Sequence, residues 1–371
     1  MTATAARATT HPKLAALSEL GQSIWFDNIS RGLISSGGLQ HLVDEGVRGM
    51  TSNPTIFEKA ISGSPDYDAQ LSQAAASTKD PEAIFEALAI QDIQAAADVL
   101  RPVYDRLDGA DGYISLEVSP KLADDTEGTA KAAERLWNAV NRPNVMIKIP
   151  ATEAGLSAIT ASIAKGININ VTLLFSVDRY ESVAWAYIKG LEMLANAGKP
   201  LARVASVASF FVSRVDTLVD SQLSDAHADL KGKAAVANAK LAYERFDKIF
   251  SSDRFRALRA KGARVQRVLW ASTSTKNPAY SPTMYVDPLI GPDTINTVPP
   301  QTLDAIKDHA TVRSTIREEL SEAHGTIAAL GKAGVDMKAV ADRLERDGVA
   351  SFAKSFDDLL AAIQKKVPGG S

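Results

Sequence analysis

Short β-rich runs alternate with longer amphipathic segments along most of the chain. This alternation is typical of βα units, in which each strand is followed by a helix. The candidate strands are Ser23–Asp27, Val47–Thr51, Tyr113–Val118, Val145–Ile149, Ile167–Thr172, Val204–Ala208, Val265–Ala271 and Thr283–Val286. The clearest helices are Pro81–Leu100, Thr126–Asn141, Glu153–Lys165 and Val177–Ala197. Eight such units predict an α/β fold of the (β/α)₈ TIM-barrel type, which usually occupies ~250 residues.

The segments outside this alternation are interpreted as helical additions and tails. From about residue 301 onward the pattern predicts three or four helices, the last of them Val349–Lys365, packed on the barrel. We therefore expect a single barrel domain over residues 13–366, with flexible tails at 1–12 and 367–371. A doubly wound sheet is the alternative, but it needs a Gly-rich first turn or a Walker-type loop, and the sequence contains neither.

Four of the strands place a chemically useful side chain at their carboxyl end. Neighbouring side chains in a strand face opposite ways, so the aliphatic residues of Val145–Ile149 share one face and Lys148 lies on the other. The same phase recurs in three other strands, and active sites of barrels lie at these strand ends. The side chains predicted to meet there are Asp27, Glu117, Lys148 and Thr172.

A single inward polar residue is a satisfied core group or a salt-bridge partner about as often as it is a functional residue. A lysine and two carboxylates in the same phase on three strands argue against that explanation, because burying charges without a partner or a purpose is costly. The pattern therefore favours a catalytic site.

Composition narrows the chemistry that such a site can perform. The 371 residues include no cysteine, which excludes thiol nucleophiles, and the five histidines have no metal-ligand spacing, so we expect no metal site. The net charge of −3 gives no indication of nucleic acid or membrane as a partner. No signal peptide or membrane span is apparent, which predicts a cytoplasmic protein.

Six motifs, in series and each at a strand end, resemble the transaldolase family in its long bacterial form. They are TSNPTIFEKAI at Thr51–Ile61, SLEVSP at Ser115–Pro120, NVMIKIPAT at Asn144–Thr152, GININVTLLFS at Gly166–Ser176, VASFFVSRVD at Val207–Asp216 and WASTSTKNP at Trp270–Pro278. The resemblance implies a barrel enzyme that needs no cofactor and moves a dihydroxyacetone unit between sugar phosphates through a Schiff base.

The resemblance also implies roles for individual residues. Lys148 matches the nucleophile that attacks the C2 ketone of fructose 6-phosphate or sedoheptulose 7-phosphate. Asp27 matches the base that takes the proton of the C4 hydroxyl, and Glu117 and Thr172 match a pair that moves protons through a water. Matches to residues that bind the ketol hydroxyls are Asn53, Asn170 and Ser209, although the Asn-Pro pair at Asn53 is equally typical of a turn.

The phosphate end of the site is expected to be cationic. Arg214 matches the family's phosphate arginine, although a surface salt bridge with Asp216 or Asp220 is an equal alternative on sequence alone. Ser272 matches a second phosphate contact. Shorter members carry another arginine after that serine, whereas here the nearest cation is Lys276.

Phe211 bears on the choice between transfer and simple cleavage. An aldolase must protonate the enamine, and the related fructose-6-phosphate aldolases tend to have a tyrosine in this segment. The Phe210–Phe211 pair has no hydroxyl, which favours transfer, although at least one of the two is expected to be core. A fructose-6-phosphate aldolase and a non-catalytic sugar-phosphate-binding barrel remain the alternatives, and both a monomer and a homodimer are compatible with the sequence.

Overall fold

The computed structural model describes residues 10–367, and its strands form one closed parallel barrel. Each strand pairs with the next in chain order, and the last pairs with the first, for example Trp25 with Thr297. The strands are β1 Gln22–Asp27, β2 Gly49–Thr51, β3 Ile114–Glu117, β4 Val145–Pro150, β5 Ile169–Leu174, β6 Ser206–Phe211, β7 Arg267–Ala271 and β8 Thr294–Val298. The prediction of a (β/α)₈ barrel is confirmed.

Helices surround the barrel, and three of them fill the long connection between β2 and β3. Within residues 10–367 the helices are α1 Pro12–Glu19, α2 Arg31–Ser35, α3 Gly38–Glu45, α4 Pro54–Gly63, α5 Asp68–Ser77, α6 Pro81–Arg106, α7 Thr126–Val140, α8 Glu153–Ala164, α9 Val177–Asn196, α10 Ser213–Asp220, α11 Ala234–Phe250, α12 Asp253–Arg259, α13 Pro300–His309, α14 Leu320–Lys332 and α15 Met337–Lys366. No helix in this part of the chain is long and apolar enough to cross a membrane.

Side-chain caps fix the turns from strand to helix at the mouth of the barrel. Asn53 Oδ1 accepts from Ile56 N at the start of α4, and Thr152 Oγ1 accepts from Gly155 N at the start of α8. Ser176 caps α9 in the same way. These bonds satisfy N–H groups that the helix itself leaves unpaired, so the residues beside each strand end are held in defined positions.

The predicted eighth strand, Thr283–Val286, is wrong. The structure places β8 at Thr294–Val298, where it pairs with both β1 and β7. The amides of the earlier run make local bonds instead, since Val286 N and Asp287 N both donate to the carbonyl of Thr283. The run is rich in β-forming residues, but its backbone closes a turn and has no strand partner.

Several boundaries also differ from the prediction. Strand β6 runs from Ser206 to Phe211 rather than over Val204–Ala208, because Val204 closes a turn with Leu201. The last helix begins at Met337, twelve residues before the predicted start, where Asp336 caps it by accepting from two backbone amides.

The three helices after residue 300 agree with the lower of the two predicted numbers. Pro12, predicted to be in the tail, begins α1, whereas residues 1–9 and 368–371 lie outside the described part of the chain. The single-domain boundary at 13–366 stays a prediction.

Candidate active site

A cavity of about 310 Å³ opens at the carboxyl ends of the strands. Its floor and walls are formed by residues at or near the ends of seven strands, all except β3. These residues are Asp27, Thr51, Lys148, Thr172, Ser209, Phe211, Ala271 and Thr297. Three of the four side chains predicted to meet at the strand ends therefore line one cavity, and the fourth, Glu117, contacts Lys148.

Lys148 is held between two oxygen atoms and an aromatic ring. Its Nζ donates to the carbonyl oxygen of Ser52 at 3.1 Å and lies 3.2 Å from Glu117 Oε2. The ring centroid of Phe352 is 5.6 Å from the same nitrogen. Only 4% of the residue is exposed, and that part faces the cavity, so the amine is aimed at whatever binds there.

Glu117 and Thr172 flank Lys148 on the neighbouring strands. Glu117 is in register with Lys148 across β3 and β4, and Thr172 is in register with Pro150 across β4 and β5. Among the described residues, Thr172 Oγ1 makes no hydrogen bond, and Glu117 Oε2 has only the ion-pair contact with the lysine. Burial raises the pKa of Glu117, and the charge of Lys148 opposes this shift.

Asp27 stands at the end of β1 with a different set of partners. Its Oδ1 accepts from Thr51 Oγ1 at 2.6 Å, and that hydroxyl also lies 2.6 Å from Thr297 Oγ1. Burial raises the pKa of Asp27, partly opposed by the Thr51 bond and by the charges of Lys148 and Lys276. The carboxyl group therefore holds a proton more readily than an exposed aspartate.

The three residues expected to bind hydroxyl groups are placed unequally. Ser209 and Asn53 line the cavity, whereas Asn170 is fully buried behind it. Asn170 Nδ2 donates to Ser115 Oγ at 2.9 Å, and its Oδ1 accepts from Ser209 Oγ at 2.7 Å. Asn53 caps α4 through its Oδ1 and still faces the cavity, so the local role and the ligand-facing position coexist.

Two cations from different elements meet at the rim. Arg214 stands in the first turn of α10, and Lys276 follows β7; both line the cavity, together with Ser272. Burial lowers the pKa of Arg214, and that of Lys276 is lowered by burial and by the nearby Arg214 charge. Ser272 Oγ lies 3.0 Å from Ser213 Oγ, and Lys276 Nζ donates to Ser274 Oγ at 2.8 Å. This arrangement suits an anion.

The alternative of a surface salt bridge for Arg214 is wrong. Asp216 instead accepts from Ala235 N and from Tyr285 Oη. Asp220 accepts from a backbone amide and from Tyr280 Oη. Over residues 10–367, Arg214 has no carboxylate within 4.0 Å, and its guanidinium lies 5.3 Å from the ring centroid of Phe211.

The two phenylalanines at the end of β6 face opposite ways. Phe211 lines the cavity and packs against Phe175, with ring centroids 5.2 Å apart. Phe210 is fully buried on the other face of the strand, edge-on to Tyr180 and Trp270. Phe210 is therefore the core residue of the pair.

The sequence pattern did not reveal several residues of the cavity wall. Phe352 of α15, Lys59 of α4 and Gln301 of α13 all line it. In the sequence, Phe352 is one apolar position of an amphipathic helix, a signal that core packing explains equally well. Lys59 lies within the TSNPTIFEKAI motif, so the resemblance offered a hint that the helical pattern did not.

The site combines the Lys148 amine, the Asp27 carboxyl group and a cationic rim in one cavity, and the Glu117 carboxyl group contacts the amine from behind. Burial raises the pKa of both carboxyl groups. A primary amine beside proton donors and acceptors can form a Schiff base with a carbonyl compound. The rim cations supply charge for a phosphate. The arrangement thus defines a Schiff-base lyase or transferase that acts on phosphorylated carbonyl substrates.

The comparisons with known proteins agree with this class. The family model described as Transaldolase/Fructose-6-phosphate aldolase matches residues 24–363. The chain is 49% identical over 363 residues to a transaldolase of Saccharopolyspora erythraea, with 97% of this chain and 99% of that protein covered. It is 47% identical to a transaldolase of Trichodesmium erythraeum, covering 95% and 97%. It is 48% identical to a transaldolase of Mycobacterium tuberculosis, covering 94% and 96%.

The chain belongs to the transaldolase/fructose-6-phosphate aldolase family. The resemblance seen in the sequence motifs is confirmed, including its long bacterial form.

Proposed function

We propose that the chain catalyses the transaldolase reaction through a Schiff base on Lys148. A dihydroxyacetone unit passes from sedoheptulose 7-phosphate to glyceraldehyde 3-phosphate, giving erythrose 4-phosphate and fructose 6-phosphate, and the reaction is reversible. Near-complete alignment with curated transaldolases at 47–49% identity supports the activity. The observation that carries the site assignment is Lys148 Nζ, buried at the cavity floor, 3.2 Å from Glu117.

The first half of the reaction joins the donor to the enzyme. Lys148 Nζ attacks the C2 ketone of the donor and forms a carbinolamine, which loses water to give the Schiff base. Dehydration needs a group that gives a proton to the departing hydroxyl. Glu117, whose pKa is raised by burial, serves as this donor, and Thr172 Oγ1 completes the relay through a water.

Asp27 then takes the proton of the C4 hydroxyl, and the C3–C4 bond breaks with its electrons flowing to the iminium nitrogen. An aldose phosphate leaves, and an enamine stays on Lys148. The acceptor aldehyde re-forms the bond in the reverse sense, and water releases the product. The Thr51 bond to Oδ1 leaves Oδ2 of Asp27 available for the sugar hydroxyl.

The remaining wall residues bind the substrate. Arg214, Ser272 and Lys276 hold the phosphate at the rim, where two positive charges face one dianion. Asn53 and Ser209 bind ketol hydroxyls directly. Both polar ends of the Asn170 amide are taken by Ser115 and Ser209, so Asn170 orients Ser209.

Transfer is favoured over simple cleavage by the aromatic wall. Release of free dihydroxyacetone needs a proton on the enamine carbon, and Phe211 presents a ring without a hydroxyl to the cavity. Because Phe211 offers no proton to the enamine carbon, that carbon reacts with the acceptor aldehyde. We further propose that the reaction takes place in the cytoplasm, on a monomer or a homodimer.

Borohydride trapping tests the proposal. With fructose 6-phosphate, reduction is expected to add a dihydroxyacetone-derived mass to the peptide that contains Lys148. Lys148→Ala is expected to abolish the label and the transfer activity, whereas Lys189→Ala, a matched change at an exposed lysine of α9, leaves both intact.

Three outcomes would contradict the proposal. A label on another lysine would remove Lys148 as the nucleophile, and the absence of any label would indicate a binding protein. Rapid release of dihydroxyacetone over many turnovers without an acceptor would favour a fructose-6-phosphate aldolase.

A further inference from the structure

Helix α15 brings an aromatic side chain to the nucleophile from outside the barrel. Phe352 lies near the middle of this helix, is only 5% exposed and lines the cavity. Its ring centroid is 5.6 Å from Lys148 Nζ. The polar contacts of that nitrogen, Ser52 and Glu117, belong to the barrel, whereas the aromatic contact is supplied by helix α15.

The helix is anchored on both sides of Phe352. One turn earlier, Gly348 sits so close to the barrel that a Cβ there would lie 2.9 Å from Leu173 Cδ2. Three residues after Phe352, Ser355 Oγ accepts from Thr55 Oγ1 at 2.8 Å. One turn after Phe352, Phe356 packs edge-on against Phe85 with the centroids 5.6 Å apart. The ring of Phe352 is therefore held in place.

We infer that Phe352 is a specificity-determining residue that keeps proton-donating water away from the nucleophilic carbon of the lysine-bound enamine, so that this carbon reacts with an aldehyde and is not protonated. The water used by Glu117 and Thr172 acts at C2 and is not excluded. This inference rests on the proposed function. A phenyl ring fills space and neither donates nor accepts a conventional hydrogen bond, so water beside it lacks partners. The ring also lies within cation–π range of the nitrogen that carries positive charge in the Schiff base.

The reaction that Phe352 suppresses is hydrolysis of the intermediate. A proton adds to the nucleophilic carbon of the enamine and gives the iminium ion. Water then adds to C2, a proton moves to the nitrogen, and the C2–N bond breaks. Free dihydroxyacetone and the lysine amine result, with one water consumed and no oxidant or reductant needed.

The test compares release with transfer in variants of the full-length protein. Dihydroxyacetone release from fructose 6-phosphate without an acceptor is measured beside transfer to erythrose 4-phosphate. Phe352→Ala, which opens space for water, is expected to raise the ratio of release to transfer roughly tenfold, which corresponds to about 1.4 kcal/mol between the two activation free energies. Phe352→Tyr, which keeps the ring and adds a hydroxyl, is expected to raise it as well.

Two further variants separate this role from packing. Phe352→Leu keeps an apolar wall without a π face, and its ratio is expected to stay within about threefold of the wild type. Phe356→Leu, a matched change on the same helix against Phe85, is expected to leave the ratio unchanged.

An unchanged ratio in both Phe352→Ala and Phe352→Tyr would overturn the inference. So would an equal loss of release and transfer. Borohydride trapping at Lys148 is run on the wild type in parallel. If the label forms and the ratio does not move, the role of Phe352 fails alone; if no label forms, the Schiff-base function itself fails.

Discussion

Asp27 and Glu117 are the two buried carboxyl groups of the site, and their surroundings differ: Asp27 lines the cavity, whereas Glu117 lies behind Lys148. Glu117 is paired with Lys148, whereas Asp27 accepts a hydrogen bond from a neutral hydroxyl, that of Thr51. Burial raises the pKa of both. A carboxyl paired with the amine suits proton exchange with that amine. One with a free oxygen facing the cavity suits a proton on the substrate, and this difference is the physical basis for assigning C4 deprotonation to Asp27.

Asp27→Asn is expected to lower kcat by roughly 10²–10⁴-fold, because the amide cannot take a proton.

The same substitution should also change how the stability of the protein depends on pH. The raised pKa of Asp27 means that its stabilising contribution is complete below the unfolded value of about 3.9 and is lost as pH rises through the folded value. The amide does not titrate, so the stability of the variant relative to the wild type should increase with pH.

Urea unfolding of both proteins at pH 4.5 and pH 7.5 measures this difference. The Thr51 bond does not obscure it, since an amide oxygen can accept from the same hydroxyl. A variant that is less stable by the same amount at both pH values would show that Asp27 serves as a structural acceptor and not as a buried titrating base.

The connection between β7 and β8 carries Lys276, and helix α10 holds this connection near Arg214. Two aspartates one turn apart on α10 accept phenolic hydrogen bonds from it: Asp216 from Tyr285 at 2.9 Å and Asp220 from Tyr280 at 2.7 Å. The two rim cations repel each other, as the effect of Arg214 on the pKa of Lys276 indicates. The tyrosine bonds oppose that repulsion.

Tyr280→Phe is expected to raise KM for the phosphorylated substrates by roughly three- to tenfold, which corresponds to the net free-energy contribution of about one hydrogen bond. The value of kcat should change little. The hydroxyl loss leaves Lys276 less firmly placed but touches none of the reacting atoms. Steady-state kinetics with glyceraldehyde 3-phosphate and with unphosphorylated glyceraldehyde as acceptors gives the readout, because only the first should be affected.

The matched control is Tyr243→Phe, which removes a similar hydroxyl bond, to the carbonyl of Pro292 at 2.9 Å, away from the cavity. A loss of kcat in Tyr280→Phe with KM unchanged would contradict the positioning role, as would equal effects on the two acceptors.

At the level of elements, the periodicity of the sequence predicted which face of a strand each side chain occupies. It did not predict which segments pair as strands or where a helix docks. The inward phase of Lys148 follows from alternation within one strand, and the structure agrees. The eighth strand was misplaced because Thr283–Val286 and Thr294–Val298 both contain β-forming residues, and only pairing with β1 and β7 distinguishes them. Phe352 is separated from Lys148 by about 200 residues, and its approach depends on how α15 docks, which no local pattern encodes.

At the level of the whole molecule, the active-site cavity and a buried polar cluster around Asp111 lie at opposite ends of the barrel. The cavity occupies the carboxyl ends of the strands. At the opposite end, Asp111 precedes β3 and is only 4% exposed. It accepts from Trp25 Nε1 at 2.8 Å and from Ser23 Oγ, and it forms an ion pair with Arg267 at 3.2 Å. These partners lie on β1 and β7, so one carboxylate ties three parts of the barrel base together.

Asp111→Ala is expected to lower the free energy of unfolding by about 3 kcal/mol, because it leaves the partly buried Arg267 without its carboxylate and the buried Trp25 indole without an acceptor. In contrast, kcat/KM at 25 °C should stay close to the wild-type value, since a strand of six residues spans ~20 Å between the base and the cavity. Urea unfolding and steady-state kinetics on the same preparations provide both numbers. A large rise in KM with little loss of stability would show that the base is coupled to the site, and the separation of the two barrel ends would then be wrong.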